Sequence, residues 1–209
     1  MNMKRLLRII AVAGLVLATT APVLGQVDDD ELADLAERLQ KRLVRLPGYG
    51  AFDWLTFGIK PDKTVVLMGY ASRPSVAQEA VNAARRTKGA EVVENRIEVL
   101  PTSTMDDNIR ARAYVTLYTD PMLQRYSPGG GMTRSQLQRG LDDFAQWGLD
   151  NVLSIRGPHQ IHIIVKGGRI TLKGFLPRQA EKDRAGIVMN SLSGVFEVTN
   201  EITTPESEG

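Results

Sequence analysis

Thr64-Val65-Val66-Leu67-Met68-Gly69-Tyr70 and, 105 residues further on, Arg169-Ile170-Thr171-Leu172-Lys173-Gly174-Phe175 decide how this chain folds. Each is a β-rich run that closes on Leu-x-Gly-aromatic. The same displacement, with no gap, lays Gly89 on Gly194, Val93 on Val198, Asn95 on Asn200 and Ile97 on Ile202. With Arg73/Arg178 and Ala80/Ala185, the 34 positions from 64 to 97 hold 8 identities. An offset that keeps both glycines and the Asn-x-Ile ending marks one supersecondary unit used twice. A small duplicated module without a reactive constellation points to binding and away from catalysis.

Working outward, residues 54–59 read as a strand, Lys60-Pro61-Asp62-Lys63 as a turn and residues 64–70 as the return strand. Lys166-Gly167-Gly168-Arg169 makes the matching turn of the second copy, one residue shorter, between strands at 161–165 and 170–175. Residues 76–86 and 180–192 supply helices that Gly89 and Gly194 close, with last strands at 92–100 and 196–202. Ahead of the first hairpin, Leu32, Leu35, Ala36, Leu39, Leu43 and Leu46 recur at helical spacing, and Pro47-Gly48 stops the run. Arg38, Lys41, Arg42 and Arg45 on its other side read as a solvated basic face suited to the helix C-terminus. Asp106 and Asp107 are expected to cap the corresponding helix at 109–118, after the short linker Pro101-Thr102-Ser103-Thr104-Met105. The reading is α+β: two αββαβ modules, each a small mixed sheet with helices packed on one face. The expected domains are 28–101 and 106–204, with a helical insertion in the second at about 127–158 and a polar tail at 205–209, the fraying expected to begin at Thr203.

Lys4, Arg5 and Arg8 precede an apolar run at 9–18, too short to span a bilayer comfortably, and then Ala21-Pro22-Val23-Leu24-Gly25. That pattern reads as a cleavable signal peptide, residues 1–25, and hence as export to the periplasm. Removing it takes 3 of the 26 basic residues, leaving 23 against 24 acidic, a net charge of −1 instead of +2. No global field then draws the protein to nucleic acid or anionic lipid, so any such attraction must be local. The chain has no cysteine, which excludes disulfides and thiolate chemistry.

These residues resemble the BON domain, a module named after bacterial osmotic-shock and nodulation proteins. The resemblance lies in Val65-Val66-Leu67-Met68-Gly69, Gly89-Ala90 and Val93-Glu94-Asn95-Arg96-Ile97, then in Ile170-Thr171-Leu172-Lys173-Gly174, Gly194-Val195 and Val198-Thr199-Asn200-Glu201-Ile202. Gly69, Gly89, Asn95, Gly174, Gly194 and Asn200 are thus the fold signature, residues that permit positive φ, close packing or a satisfied turn. What the resemblance implies is an αββαβ fold in a non-enzymatic envelope protein that attaches to phospholipid surfaces and supports envelope integrity under osmotic or similar stress. Ala90 in place of a larger residue, and the insertion, are its departures from the pattern.

Reactive arrangements are lacking. His159 and His162, the two histidines, are expected on opposite faces of a strand and unable to clasp one metal. There is no Gly-x-Ser-x-Gly elbow, and Gly129-Gly130-Gly131 is not followed by Gly-Lys-Ser/Thr. No catalytic residue, cofactor or metal is expected. In the insertion, Leu137, Leu141, Phe144 and Trp147 form an apolar helical stripe beside Arg134 and Arg139. Three readings stand for it: a lid over the sheet or domain interface, a membrane-interface helix, or a site for an envelope polypeptide. Candidate contacts to an anionic phospholipid surface or a protein partner are Arg134, Arg139, Phe144, Trp147, Arg178, Lys182 and Arg184.

Overall fold

The structure is a computed structural model, and it describes residues 29–127 and 159–205. Helix α1 (Asp29–Leu43) leads into β1 (Trp54–Ile59), β2 (Thr64–Ala71), α2 (Pro74–Arg85) and β3 (Val92–Val99). Then follow α3 (Thr104–Thr119), a 3-10 turn (Gln124–Tyr126), β4 (Ile161–Lys166), β5 (Arg169–Phe175), α4 (Gln179–Asn190) and β6 (Glu197–Thr203). Each half has a three-stranded sheet whose middle strand pairs antiparallel with its predecessor and parallel with its successor. The αββαβ order is therefore present twice, as the repeat implied. The hairpin registers confirm the shorter second turn: Ile59 faces Val65, while Val165 faces Ile170.

Alternation along the strands gives each sheet an apolar face for its helices. Leu35, Leu39 and Leu43 of α1, and Ala80, Val81 and Ala84 of α2, close over Val65 and Leu67, with Leu55, Phe57, Val93 and Ile97 around them. In the second half, Ile109, Ala113, Tyr114 and Leu117 of α3, and Ala185, Val188 and Met189 of α4, cover Ile161, Ile163, Val165, Ile170 and Leu172.

The glycine expected to end each middle strand lies just inside it, and it has a steric cause. Gly69 (φ +107°) and Gly174 (φ +138°) lie so close to the neighbouring strand that a Cβ would fall 1.9 Å from the Trp54 carbonyl oxygen and 2.0 Å from that of Gln160. Only glycine fits both constraints.

Two local expectations are corrected. Ser103, not an aspartate, caps α3, its Oγ accepting from the Asp106 amide at 3.2 Å. Asp106 is free to turn inward, where its carboxylate accepts from the amides of Gly167 and Gly168, both at 2.8 Å, and pins the β4–β5 turn. Thr203 and Thr204, expected in a frayed tail, are held: Thr203 lies in β6 and Thr204 is buried.

The two modules touch through the loop after α1. Ala51 and Phe52 belong to the core of the second module, with the Phe52 and Tyr114 rings 5.9 Å apart. The Ala51 carbonyl accepts from the Ile163 amide at 2.7 Å. On the helix-free faces of the sheets, Trp54 meets His162 with ring centroids 5.1 Å apart, and Lys166 pairs with Glu98 at 2.6 Å. The second module thus sits against the side of the first sheet that its own helices leave open.

Candidate functional site

Arg134, Arg139, Phe144 and Trp147 lie outside the described residues. Of the other three candidate contacts, on or beside α4, the Arg178 and Arg184 side chains are engaged within the chain and Lys182 is held only through its backbone. Arg184 donates through Nε (2.9 Å) and a terminal nitrogen (2.6 Å) to one carboxylate oxygen of Asp120. Arg178, at the N-cap position of α4, reaches the buried Glu181 at 3.6 Å. Lys182 is half-buried, and its carbonyl accepts from the side-chain amide of Asn200 at 2.7 Å. Glu181 also takes the Tyr126 hydroxyl at 2.6 Å and pairs with Arg125, whose guanidinium stands 5.0 Å over the Tyr126 ring. This cluster secures the chain at the place where the insertion leaves the fold.

Positive charge that is not consumed internally gathers elsewhere. Between α1 and the C-terminal half of α2 runs an open groove of about 730 Å³, lined by Arg38, Lys41, Arg42, Arg45, Arg86 and Lys88. Leu46, Pro47 and Ala83 form its apolar floor, and Glu79 is its one acidic wall residue. The spacing explains the wall: residues 38, 41 and 42 share a helix face, and Arg45 follows in the turn that leaves α1. Leu35, Leu39 and Leu43 take the opposite face into the core, which obliges the arginines to turn outward. Arg38 pairs with Asp34 at 3.6 Å and Lys41 with Glu37 at 2.6 Å, both exposed i,i+4 pairs worth little against competing anions. Arg42, Arg45, Arg86 and Lys88 have no carboxylate partner among the described residues; the Arg86 Nε donates to the Asn82 carbonyl.

The second module repeats the helix placement but not the charge. Arg38 and Arg112 occupy matching places: their guanidinium nitrogens lie 3.6 Å and 3.8 Å from where a Cβ would stand on Gly89 and Gly194. Counting from that match, Lys41, Arg42 and Arg45 correspond to Val115, Thr116 and Thr119, while Arg86 and Lys88 correspond to Ser191 and Ser193. Arg112 donates to the Ser193 carbonyl at 2.9 Å, and Arg184 and Asp120 neutralise each other. Sequence reasoning took the α1 cations for a solvated face. The missing signal was Arg86 and Lys88, which a single helix cannot reveal as the facing wall.

At the seam between modules, Tyr49, Trp54, Tyr114, Tyr118, His159 and His162 form a ring cluster. The histidine rings come within 6.4 Å of each other because His159 precedes β4, where strand alternation does not apply. His162 Nδ1 lies 3.2 Å from the Gly50 carbonyl oxygen, and burial depresses its pKa to about 4. Beside it Asp53, with its pKa raised by burial, accepts from the amides of Ser72 (2.7 Å) and Gly50 (2.9 Å) and from the Ser72 hydroxyl (2.8 Å). These groups hold the linking loop in place.

The BON-domain family profile matches residues 59–101 and 150–206. Among curated proteins nothing matches. Seven chains of known structure match. One is the C-terminal domain of CdsD, a structural protein of the type III secretion system of Chlamydia trachomatis, at 13% identity and a TM-score of 0.26, covering 81% of this chain and 96% of that one. A second structure of CdsD is 12% identical, again with a TM-score of 0.26, over 82% of this chain and 92% of that one. At that TM-score the likeness bears on neither fold nor function. BON domains are non-catalytic modules of periplasmic and envelope proteins, and no helix among the described residues is long and apolar enough to cross a membrane. With the domain matched in both halves, each built as αββαβ, the chain belongs to the BON-domain family and carries two copies in tandem.

Proposed function

We propose that this protein is a non-enzymatic envelope module that attaches reversibly to anionic phospholipid through the α1/α2 groove of its first domain. The observation that carries this reading is the set of cations there that no carboxylate of the described fold takes up. Arginine suits phosphate, since its planar fork can give two parallel hydrogen bonds to one phosphate group. The described residues of the second module pack on the opposite side of the first sheet and leave the groove open to a surface. Location in the periplasm, reached through removal of residues 1–25, belongs to the same proposal. An N-terminus at Gln26 in protein recovered from the periplasmic fraction supports it.

The test is co-sedimentation of the purified protein with anionic and zwitterionic vesicles at low and high salt. Binding is expected on anionic vesicles alone and is expected to fall with salt, as the screening length shrinks from about 10 Å at 0.1 M to about 3 Å at 1 M. Each cation near such a surface contributes about 1 kcal/mol, so Arg42→Gln with Arg45→Gln should weaken binding by about 30-fold. Salt-independent binding, or none, overturns the lipid reading. Retention of an envelope polypeptide by vesicle-inactive protein would then make residues 127–158 the surface to mutate. A role in envelope integrity under stress predicts that wild type, and not the double variant, restores growth of a deletion strain under osmotic stress.

A further inference from the structure

We infer that the α1/α2 groove selects lipids carrying two phosphates in one headgroup, and that the protein has one such site, in its first module. The inference rests on the lipid reading above and narrows it to a headgroup class. Six cations line the groove, and the carboxylates near them are Asp34, Glu37 and Glu79, which leaves three positive charges uncompensated. A phosphodiester brings one negative charge. A single-phosphate headgroup therefore leaves most of the groove's charge unmet, and a headgroup with two phosphates meets more of it without collecting a second lipid molecule.

The dimensions agree. Arg38 and Arg42 are separated by about 6 Å along the α1 axis, with Arg45 in the turn beyond the helix end and Arg86 and Lys88 on the facing wall. Phosphates joined by a short linker can therefore engage the two ends of the α1 wall at once. The second module has threonine, valine and serine at most of the corresponding positions, and its Arg184 is bound to Asp120. Among the described residues it contributes no equivalent set of cations, so the two phosphates are assigned to the first module.

The experiment compares binding of the purified protein to phosphatidylcholine vesicles containing either phosphatidylglycerol or diphosphatidylglycerol, matched in total surface charge. About tenfold tighter binding is expected on the diphosphatidylglycerol vesicles, the gain that tethering a second phosphate gives. Arg42→Gln with Arg45→Gln should abolish that preference, whereas Arg178→Gln with Lys182→Gln on α4 should keep it. Inorganic pyrophosphate should displace the protein at lower concentration than orthophosphate at equal ionic strength. Equal binding to the two charge-matched vesicles overturns the two-phosphate selectivity and leaves surface attachment standing. A preference that survives in the Arg42/Arg45 variant overturns the site. No binding to either vesicle removes the lipid reading on which the inference rests.

Discussion

Replacing Gly69 with alanine tests the steric account of the fold most directly. The new Cβ would meet the Trp54 carbonyl oxygen at 1.9 Å, with the Trp54 carbonyl carbon at 3.0 Å and the Leu55 Cα at 3.3 Å behind it. All three are backbone atoms of the paired strand, so no side-chain rotation relieves the contact. A non-glycine residue held in a sparsely populated positive-φ conformation costs about 1–3 kcal/mol, and inserting a methyl into packed structure costs about 1–3 kcal/mol more. Together that is roughly 2–6 kcal/mol, against a total of about 5–15 kcal/mol for an ordinary domain. Gly58→Ala is the internal control: it lies in β1, its φ is not positive, and its nearest neighbour is the Met68 Cε at 3.9 Å. That change should shift stability by no more than about 0.5 kcal/mol. Urea unfolding followed by far-UV circular dichroism reads both. The reasoning fails if Gly69→Ala unfolds at the same midpoint and slope as Gly58→Ala. Gly174→Ala, with its Cβ 2.0 Å from the Gln160 carbonyl oxygen, should repeat the large loss in the second sheet.

Other changes probe the seam and the buried carboxylates. His162 titrates at about 4 in the folded chain and near 6.5 when unfolded, so between those values the unfolded chain holds more protons. Stability should fall by about 3 kcal/mol as pH drops from 6.5 to 4, and His162→Gln should remove that slope. Asp53, whose pKa is raised by burial, acts in the opposite sense just above pH 3.8, which makes the wild-type-minus-variant difference the quantity to plot. Asp106→Ala strips the acceptor from two turn amides and should cost about 2–3 kcal/mol in thermal or urea unfolding; a loss below 0.5 kcal/mol would mean water replaces the carboxylate at about equal strength. Tyr126→Phe leaves a buried carboxylate short of one donor and should cost about 1.5–3 kcal/mol, and much less when combined with Glu181→Gln, which a double-mutant cycle would register.

The element order was legible because two copies of one pattern checked each other. A short run such as 161–165 is ambiguous alone, and its match to the first copy fixes it as a hairpin strand. Errors arose where a side chain had a choice of partner. Asp106 stands at a position that suits helix capping, yet Ser103 caps and the carboxylate serves a turn some 60 residues away. Nothing local in the sequence encodes that distance. The groove escaped for the same reason: Arg42 and Lys88 become neighbours only after α1 and α2 have packed. Arg184 looked available as a cation because the acid that holds it, Asp120, is a neighbour through the fold and 64 residues away, whereas the Arg178 partner Glu181 stands at i,i+3 on the same helix.

Phe52 has a consequence for the chain as a machine. It is contributed by one repeat and is 2% exposed inside the core of the other. The two copies are therefore not beads on a string: severing the link at 101–103 would leave the C-terminal copy with an unfilled slot and the N-terminal copy with a bare aromatic ring. Melting should proceed as one cooperative event, and force or protons applied at the seam should reach both sheets together. Duplication here produced a single mechanical body rather than two.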